Sequence, residues 1–253
     1  MAKLMNRKII ISGHVVEVYE YEKPVFYDFK SKGGRKKDGE EGSKRREENR
    51  KTAAYRAREK LRRLILANFD ENSKFVTLTF RDGEVEDLGD VEQTNPLFKK
   101  FIMRLKYHVK KDLRYAAVIE FQDKNGRGAV HYHMICDLDF LPHEELERIW
   151  GHGFVKINSL KARMREDGRD VDNVGAYMIK YMLKDLDDDR LRGKKAYLTS
   201  RNLKKPKELK GTEAEAYWYL NKLDEKETVF TSEYESEHYG KVQYKEFNPK
   251  RHR

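Results

Sequence analysis

Apolar residues recur along this chain with two different periods, and the change of period separates strands from helices. Lys74-Phe-Val-Thr-Leu-Thr-Phe80 reads as a strand, as do Arg114–Phe121 and Ala129–Asp137. Between the last two, Asp123-Lys-Asn-Gly-Arg-Gly128 predicts a hairpin turn. Phe98, Phe101, Ile102, Leu105 and Val109 recur at helical spacing, and Thr94-Asn95-Pro96 is expected to start that helix with proline in first position. A longer helix is expected from Ser43, a possible cap, to Asn68, with Ala54, Ala57, Leu61, Leu64 and Ile65 as its apolar stripe. Pro142 should open a short helix ending near Trp150, Gly153–Asn158 a further strand, and Asn173 should cap a helix over residues 174–186. Near the N-terminus, Lys8–Glu20 and Pro24–Asp28 read as two short strands. The central order strand, helix, strand, hairpin strand, helix, strand, helix predicts an α+β fold with a central antiparallel sheet and helices on one face, ferredoxin-like sheets being the nearest common architecture.

Three segments follow from the same pattern. Residues 1–42 hold the first strands and then a Gly-rich charged stretch, from residue 30 on, with almost nothing apolar, which reads as a flexible basic linker. Residues 43–200 hold the basic helix and the central α+β pattern. Residues 201–253 form a basic, then mixed extension with aromatics at 217–219 and at Tyr234, Tyr239 and Tyr244.

Charge sharpens this picture. The 253 residues carry a net charge of +10, and it is concentrated. Ser31–Arg63 has 14 Lys/Arg against 6 Asp/Glu, and Arg190–Lys210 has 9 against 1, so the remainder is mildly acidic. Two basic zones on an acidic body fit a polyanionic partner, nucleic acid being the usual one. Arg56, Arg58, Lys60, Arg62 and Arg63 on the first helix, with Lys194, Lys195 and Arg201 in the second zone, are the candidate phosphate contacts. The single cysteine, Cys136, excludes a disulfide framework within the chain and fits a reducing compartment. No run approaches 18 apolar residues, so no membrane span is expected, and Ile9–Ile11 is too short for a signal-peptide core.

Two constellations carry chemistry. His131 and His133 are two apart on a strand and therefore share a face. A two-residue turn at Asn125-Gly126 would put Glu120 directly opposite His131, whereas a four-residue loop would put Gln122 there. Two imidazoles and one oxygen donor leave coordination positions open, as a metal that touches substrate requires. Glu120 is the preferred third ligand and Gln122 the reserve, because an anionic oxygen suits a hard cation such as Mg²⁺ or Mn²⁺. The second constellation is Tyr177-Met-Ile-Lys180-Tyr181-Met-Leu-Lys184. Its tyrosines are four apart and share a helical face, each followed three residues later by a lysine. A cation near a phenol favours the phenolate and can also hold a phosphate, so Tyr177 and Tyr181 are candidate nucleophiles with Lys180 and Lys184 as their partners.

With these residues together the chain resembles the HUH endonucleases, and within them the rolling-circle replication initiators of plasmids and single-stranded-DNA phages. Phe75-Val-Thr-Leu-Thr-Phe80 is similar to the family's first motif, His131-Tyr132-His133 to its second, and the tandem Tyr-x-x-Lys to its third, in the family's order. Tyr132 departs from the usual aliphatic residue. The resemblance implies a metal-dependent nicking and joining enzyme of the two-tyrosine class, forming a 5′-phosphotyrosine on single-stranded or hairpin origin DNA. It further implies a prokaryotic cytoplasm, and a host helicase and polymerase as partners, since no Gly-x-x-x-x-Gly-Lys-Ser/Thr occurs. Two other readings stand beside it. A conjugative relaxase or transposase would use the same chemistry, but relaxases usually place their tyrosine ahead of the histidines. A non-catalytic single-strand binder would explain the charge but not the placement of His and Tyr.

Overall fold

The computed structural model describes residues 3–28, 42–123, 126–161, 179, 188–195 and 197–250. The chain divides into two units, Met1–Arg45 with Lys205–Arg253, and Arg46–Lys204. The first and last stretches of the chain thus belong to one unit and the stretch between them to the other.

In the first unit, β1 (Lys3–Ser12) and β2 (Val15–Tyr27) form a hairpin. Its two-residue turn is Gly13-His14, where Gly13 has the positive φ of 63° that such turns demand. The turn therefore falls inside the expected Lys8–Glu20 strand, and β2 runs on through Pro24. The register shifts between Met5 and Arg7, so Pro24 sits where the ladder is interrupted and its missing N–H leaves no bond unmade. β8 (Lys207–Lys210), β9 (Thr228–Ser236) and β10 (Gly240–Phe247) complete a five-stranded antiparallel sheet in the order β8-β1-β2-β10-β9. On one face Ile9, Val16, Val18, Leu209 and Phe247 pack with Ala214 of the helix Thr212–Asn221. Arg7 on that face pairs with Glu20 and Glu215 and lies over the Trp218 ring, 4.6 Å from its centroid.

The second unit begins with α1 (Gly42–Asn68), whose first residues belong to the first unit. Leu61 and Ile65 of its expected apolar stripe are buried and Leu64 is half-buried, and Leu66, outside that stripe, is buried as well. A five-stranded antiparallel sheet follows in the order β6-β3-β5-β4-β7, from β3 (Lys74–Leu78), β4 (Tyr115–Gln122), β5 (Ala129–Cys136), β6 (Val155–Ser159) and β7 (Tyr197–Thr199). Val76, Leu78, Ala117, Ile119, Val130, Tyr132 and Met134 form its core face, packed with Phe98, Phe101 and Leu105 of α2 (Val91–Val109) and Leu146 and Trp150 of α3 (His143–Trp150). The expected α+β class with a central antiparallel sheet is what the structure has.

The start of α2 moves. α2 starts at Val91, not at Pro96, because the Asp90 carboxylate accepts from the amide of Glu92 at 2.8 Å and caps the helix from within the acidic loop. Pro96 then lies inside, where the only carbonyl losing its partner is that of exposed Glu92, which water can serve. α3 runs as expected to Trp150 and is terminated by Gly151 in the left-handed region at φ 74°. Among the described residues no helix is long and apolar enough to cross a membrane.

Candidate metal centre

β5 lies between β3 and β4, so its side chains are fixed by hydrogen-bonded ladders on both edges. Glu120 pairs with His131, and Gln122 pairs with Ala129. This is the register of the tight-turn reading. The turn is closed by Gly126 donating to the Asp123 carbonyl and Gly128 to the Gln122 carbonyl, both at 3.0 Å, with both glycines at positive φ. In the next row, Thr77 of β3, His133 of β5 and Val118 of β4 stand side by side. Because side chains alternate along a strand, Thr77, Glu120, His131 and His133 share the face opposite the α2 and α3 core.

The ligand-capable atoms of Glu120, His131 and His133 all lie within 4.8 Å of one another. The Nε2 of His133 contacts the Glu120 carboxylate, and its Nδ1 is 3.1 Å from the Thr77 hydroxyl. A hydroxyl can donate or accept, so Thr77 serves either tautomer: it donates when Nε2–H faces Glu120, and accepts when Nε2 turns its lone pair to a cation. Phe75 stacks on the His133 ring at 5.8 Å between centroids and restricts its tilt.

His131 supplies the clearest sign of a missing partner. Its Nε2 is buried and has no hydrogen bond. Burial pushes its pKa down from 6.5 to about 4, with the neighbouring His133 and Arg127 pushing the same way and Glu120 opposing them. At neutral pH the imidazole is therefore uncharged, and one of its ring nitrogens keeps a lone pair that a cation can take. An unsatisfied buried polar nitrogen costs about 1–3 kcal/mol. A divalent cation between the two imidazoles and the carboxylate would satisfy it, so the donor set fits a metal with open coordination positions.

Several positioning groups were not singled out in the sequence. Arg127 bonds the Phe80 carbonyl and Asp82 at 2.7 Å, tying the start of β5 to the end of β3. Arg190 reaches Asp123 at 2.8 Å and lies 3.7 Å over the Phe121 ring, bracing the hairpin that carries Glu120 and His131. Trp150 donates to the Thr79 carbonyl at 2.8 Å. None of these had a local signal, since each acts between residues far apart in the chain. Tyr132, the residue bulkier than the resemblance expects, points into the core. Its ring stacks on Phe98 at 4.5 Å and its hydroxyl donates to Asn95 at 2.9 Å, with Thr94 at 3.2 Å.

Tyr177, Lys180, Tyr181 and Lys184 lie outside the described residues. The expected phosphate contacts are not one exposed stripe. On α1, Arg56 and Lys60 are exposed, but Arg62 is buried at 9% exposure, Arg63 pairs with Glu59 at 3.6 Å, and the Nε of Arg58 is buried. These stems lie along the apolar side that holds Leu61 and Ile65, as long cationic side chains do. Lys194 is held by Asp90 at 3.4 Å and Glu92 at 3.6 Å, whereas Lys195 and Arg201 are exposed.

Residues 73–186 match the model of a family described as replication-associated proteins. The match runs from the start of β3 through the whole hairpin and the tyrosine-bearing segment, and covers less than half of the chain. No curated protein and no solved structure matches. The segment that holds the candidate metal centre is thus the segment similar to replication-associated proteins, which is consistent with a replication initiator.

Proposed function

We propose that the chain initiates rolling-circle DNA replication by nicking and rejoining a single strand at an origin, the two-tyrosine chemistry of the HUH endonucleases. The observation that carries this reading is the unsatisfied Nε2 of His131 beside His133 and Glu120, within the segment similar to replication-associated proteins. A divalent cation held by these three residues, Mg²⁺ or Mn²⁺ given the carboxylate oxygen, would supply Lewis-acid polarisation of the scissile phosphate.

The chain's own groups do the rest. One of Tyr177 and Tyr181 attacks the phosphorus. The new P–Oη bond forms as the P–O3′ bond breaks, leaving a 5′-phosphotyrosine and a 3′ oxygen that takes up a proton and can prime a polymerase. Lys180 and Lys184 favour the phenolate and hold the phosphate. The second tyrosine accepts the strand at termination. Energy stored in the phosphotyrosine lets the strands rejoin without a nucleotide cofactor. Such an enzyme would work in a prokaryotic cytoplasm with a host helicase and polymerase.

Incubation of the full chain with labelled single-stranded origin DNA and Mn²⁺, resolved on a denaturing gel, tests this. A covalent adduct should form with the parent, vanish with His133→Ala or with metal chelated, and vanish with Tyr177→Phe and Tyr181→Phe combined, while at least one single Tyr→Phe variant still cleaves. An adduct that survives the double substitution at some other residue would overturn the mechanism.

A further inference from the structure

A groove of about 1010 Å³ opens in the second unit along the edge strand β7. Five cationic side chains line it: Lys60 from α1, Lys99 and Lys106 from α2, and Lys195 and Arg201 beside β7. Among the described residues the only acid in its wall is Asp112, which Lys106 already holds at 2.6 Å. Lys60, Lys99, Lys195 and Arg201 are exposed and have no ion-pair partner among the described residues. Four such cations converging on one concavity repel one another unless an anion lies between them. Part of the wall is apolar, from Leu64, Ile102 and Met103, the last 70% exposed. Tyr197 adds a half-buried aromatic ring.

The position of Tyr197 places this groove two strands away from the metal centre. Tyr197 pairs with Val118, and Val118 pairs with His133 on its other side, so the three stand in one row on one face of the sheet. Two strand spacings make that roughly 10 Å. Resting on the function proposed above, we propose that this groove seats the single-stranded DNA flanking the cut phosphate. Its cations would track the backbone, with a base against Tyr197 and the neighbouring apolar wall. Cations together with an aromatic platform and apolar floor suit unstacked bases, whereas a duplex keeps its base faces stacked and offers only phosphates and base edges.

The experiment is equilibrium binding of a fluorescein-labelled single-stranded 15-mer to the full chain in EDTA, by anisotropy across a salt series, so that binding is read apart from cleavage. Replacing Lys60, Lys99 and Lys195 together by Gln should weaken binding at least tenfold and reduce the log–log salt slope by about 2, at roughly 0.7 for each single-strand phosphate no longer neutralised. Tyr197→Ala should weaken it about fivefold or more, and Tyr197→Phe, which keeps the platform, should not. An iodouracil-substituted 15-mer should crosslink to the parent at Tyr197 or Met103, a readout that needs no variant to fold. The groove assignment falls if the triple variant binds with unchanged affinity and slope, if blunt duplex competes better than single strand, or if crosslinks map elsewhere. A parent chain that binds through the groove yet forms no covalent adduct with Mn²⁺ would overturn the catalytic reading and leave the groove standing.

Discussion

Replacing His131 with Leu should change stability in opposite senses with and without metal. The Nε2 of His131 is buried without a partner, so the metal-free protein carries an unsatisfied polar atom on the sheet face. Removing it relieves about 1–3 kcal/mol, less what the different shape of Leu gives back in packing, for a net gain of about 1 kcal/mol. For a domain of this size that raises the metal-free Tm by roughly 2–4 °C. Metal at a hundred times its Kd stabilises the parent by about 2.7 kcal/mol, or roughly 5–11 °C, and the variant by little, since one of three ligands is gone. A pH series adds a sign. The folded pKa of about 4 lies below the ordinary 6.5, so the folded metal-free parent resists protonation there. His131's contribution is fully present above pH 6.5 and is lost as pH falls through 4, while the Leu variant lacks that component. Differential scanning fluorimetry in EDTA and in a Mn²⁺ titration, across a pH series spanning both values, measures all of this. A metal-free Tm that drops by as much as a core truncation, or an undiminished Mn²⁺ shift in the variant, would refute the argument that this nitrogen awaits a cation.

Thr77→Val should weaken Mn²⁺ binding about 10–100-fold by calorimetry with the fold intact, because His133 loses the group that orients its Nδ1; Thr77→Ser should restore most of it. Gly153→Ala should destabilise by about 1–3 kcal/mol in denaturant titration, since the new Cβ would overlap the Thr79 carbonyl and come within 2.9 Å of the Arg81 amide nitrogen, both backbone. An unchanged midpoint would mean that the segment after α3 yields freely. Tyr132→Phe should cost about 1 kcal/mol, leaving Asn95 Oδ1 without its donor, and should lower Tm by a few degrees without changing metal affinity, because the hydroxyl lies on the face away from the centre.

What was legible in the sequence was what is local. The β4–β5 hairpin joins strands separated by a short turn, so the turn residues and the alternation of Val130, Tyr132 and Met134 with His131 and His133 narrowed the residue opposite His131 to Glu120 or Gln122, and the strand register makes it Glu120. The Leu61 and Ile65 stripe of α1 and the end of α3 near Trp150 were readable for the same reason. What depends on distant partners was not. The first-unit sheet pairs β2 with β10 and β1 with β8, so residues 201–253 read as an unassigned extension until their partners, roughly 200 positions earlier, are in view. The β9–β10 hairpin did carry a local clue in Gly240, at φ 65° between two alternating runs, which the aromatic content obscured. Charge misled on α1. Arg62 looked like a solvent-facing cation, yet its long stem lies along the buried side of the helix.

The division of β5 between two faces explains how a site of this kind can be both exact in geometry and tolerant of bulk at its centre. Val130, Tyr132, Met134 and Cys136 each have 0% exposure, so one face of the strand is held entirely by packing against α2 and α3. A slip of one residue would put both imidazoles into that core and the four core side chains on the other face, a cost many times any plausible metal-binding gain. The core therefore sets the register, and the register sets the positions of His131 and His133 before any cation arrives. Ladders from β3 and β4 add Thr77 and Glu120 from the two sides. Tyr132 can replace a smaller residue between the histidines because its size is accommodated by Phe98, Thr94 and Asn95 on the opposite face. The placement of His131 and His133 is thus pre-organised by packing on the opposite face, and substitutions in the core should reach a cation held there through stability and register rather than through coordination.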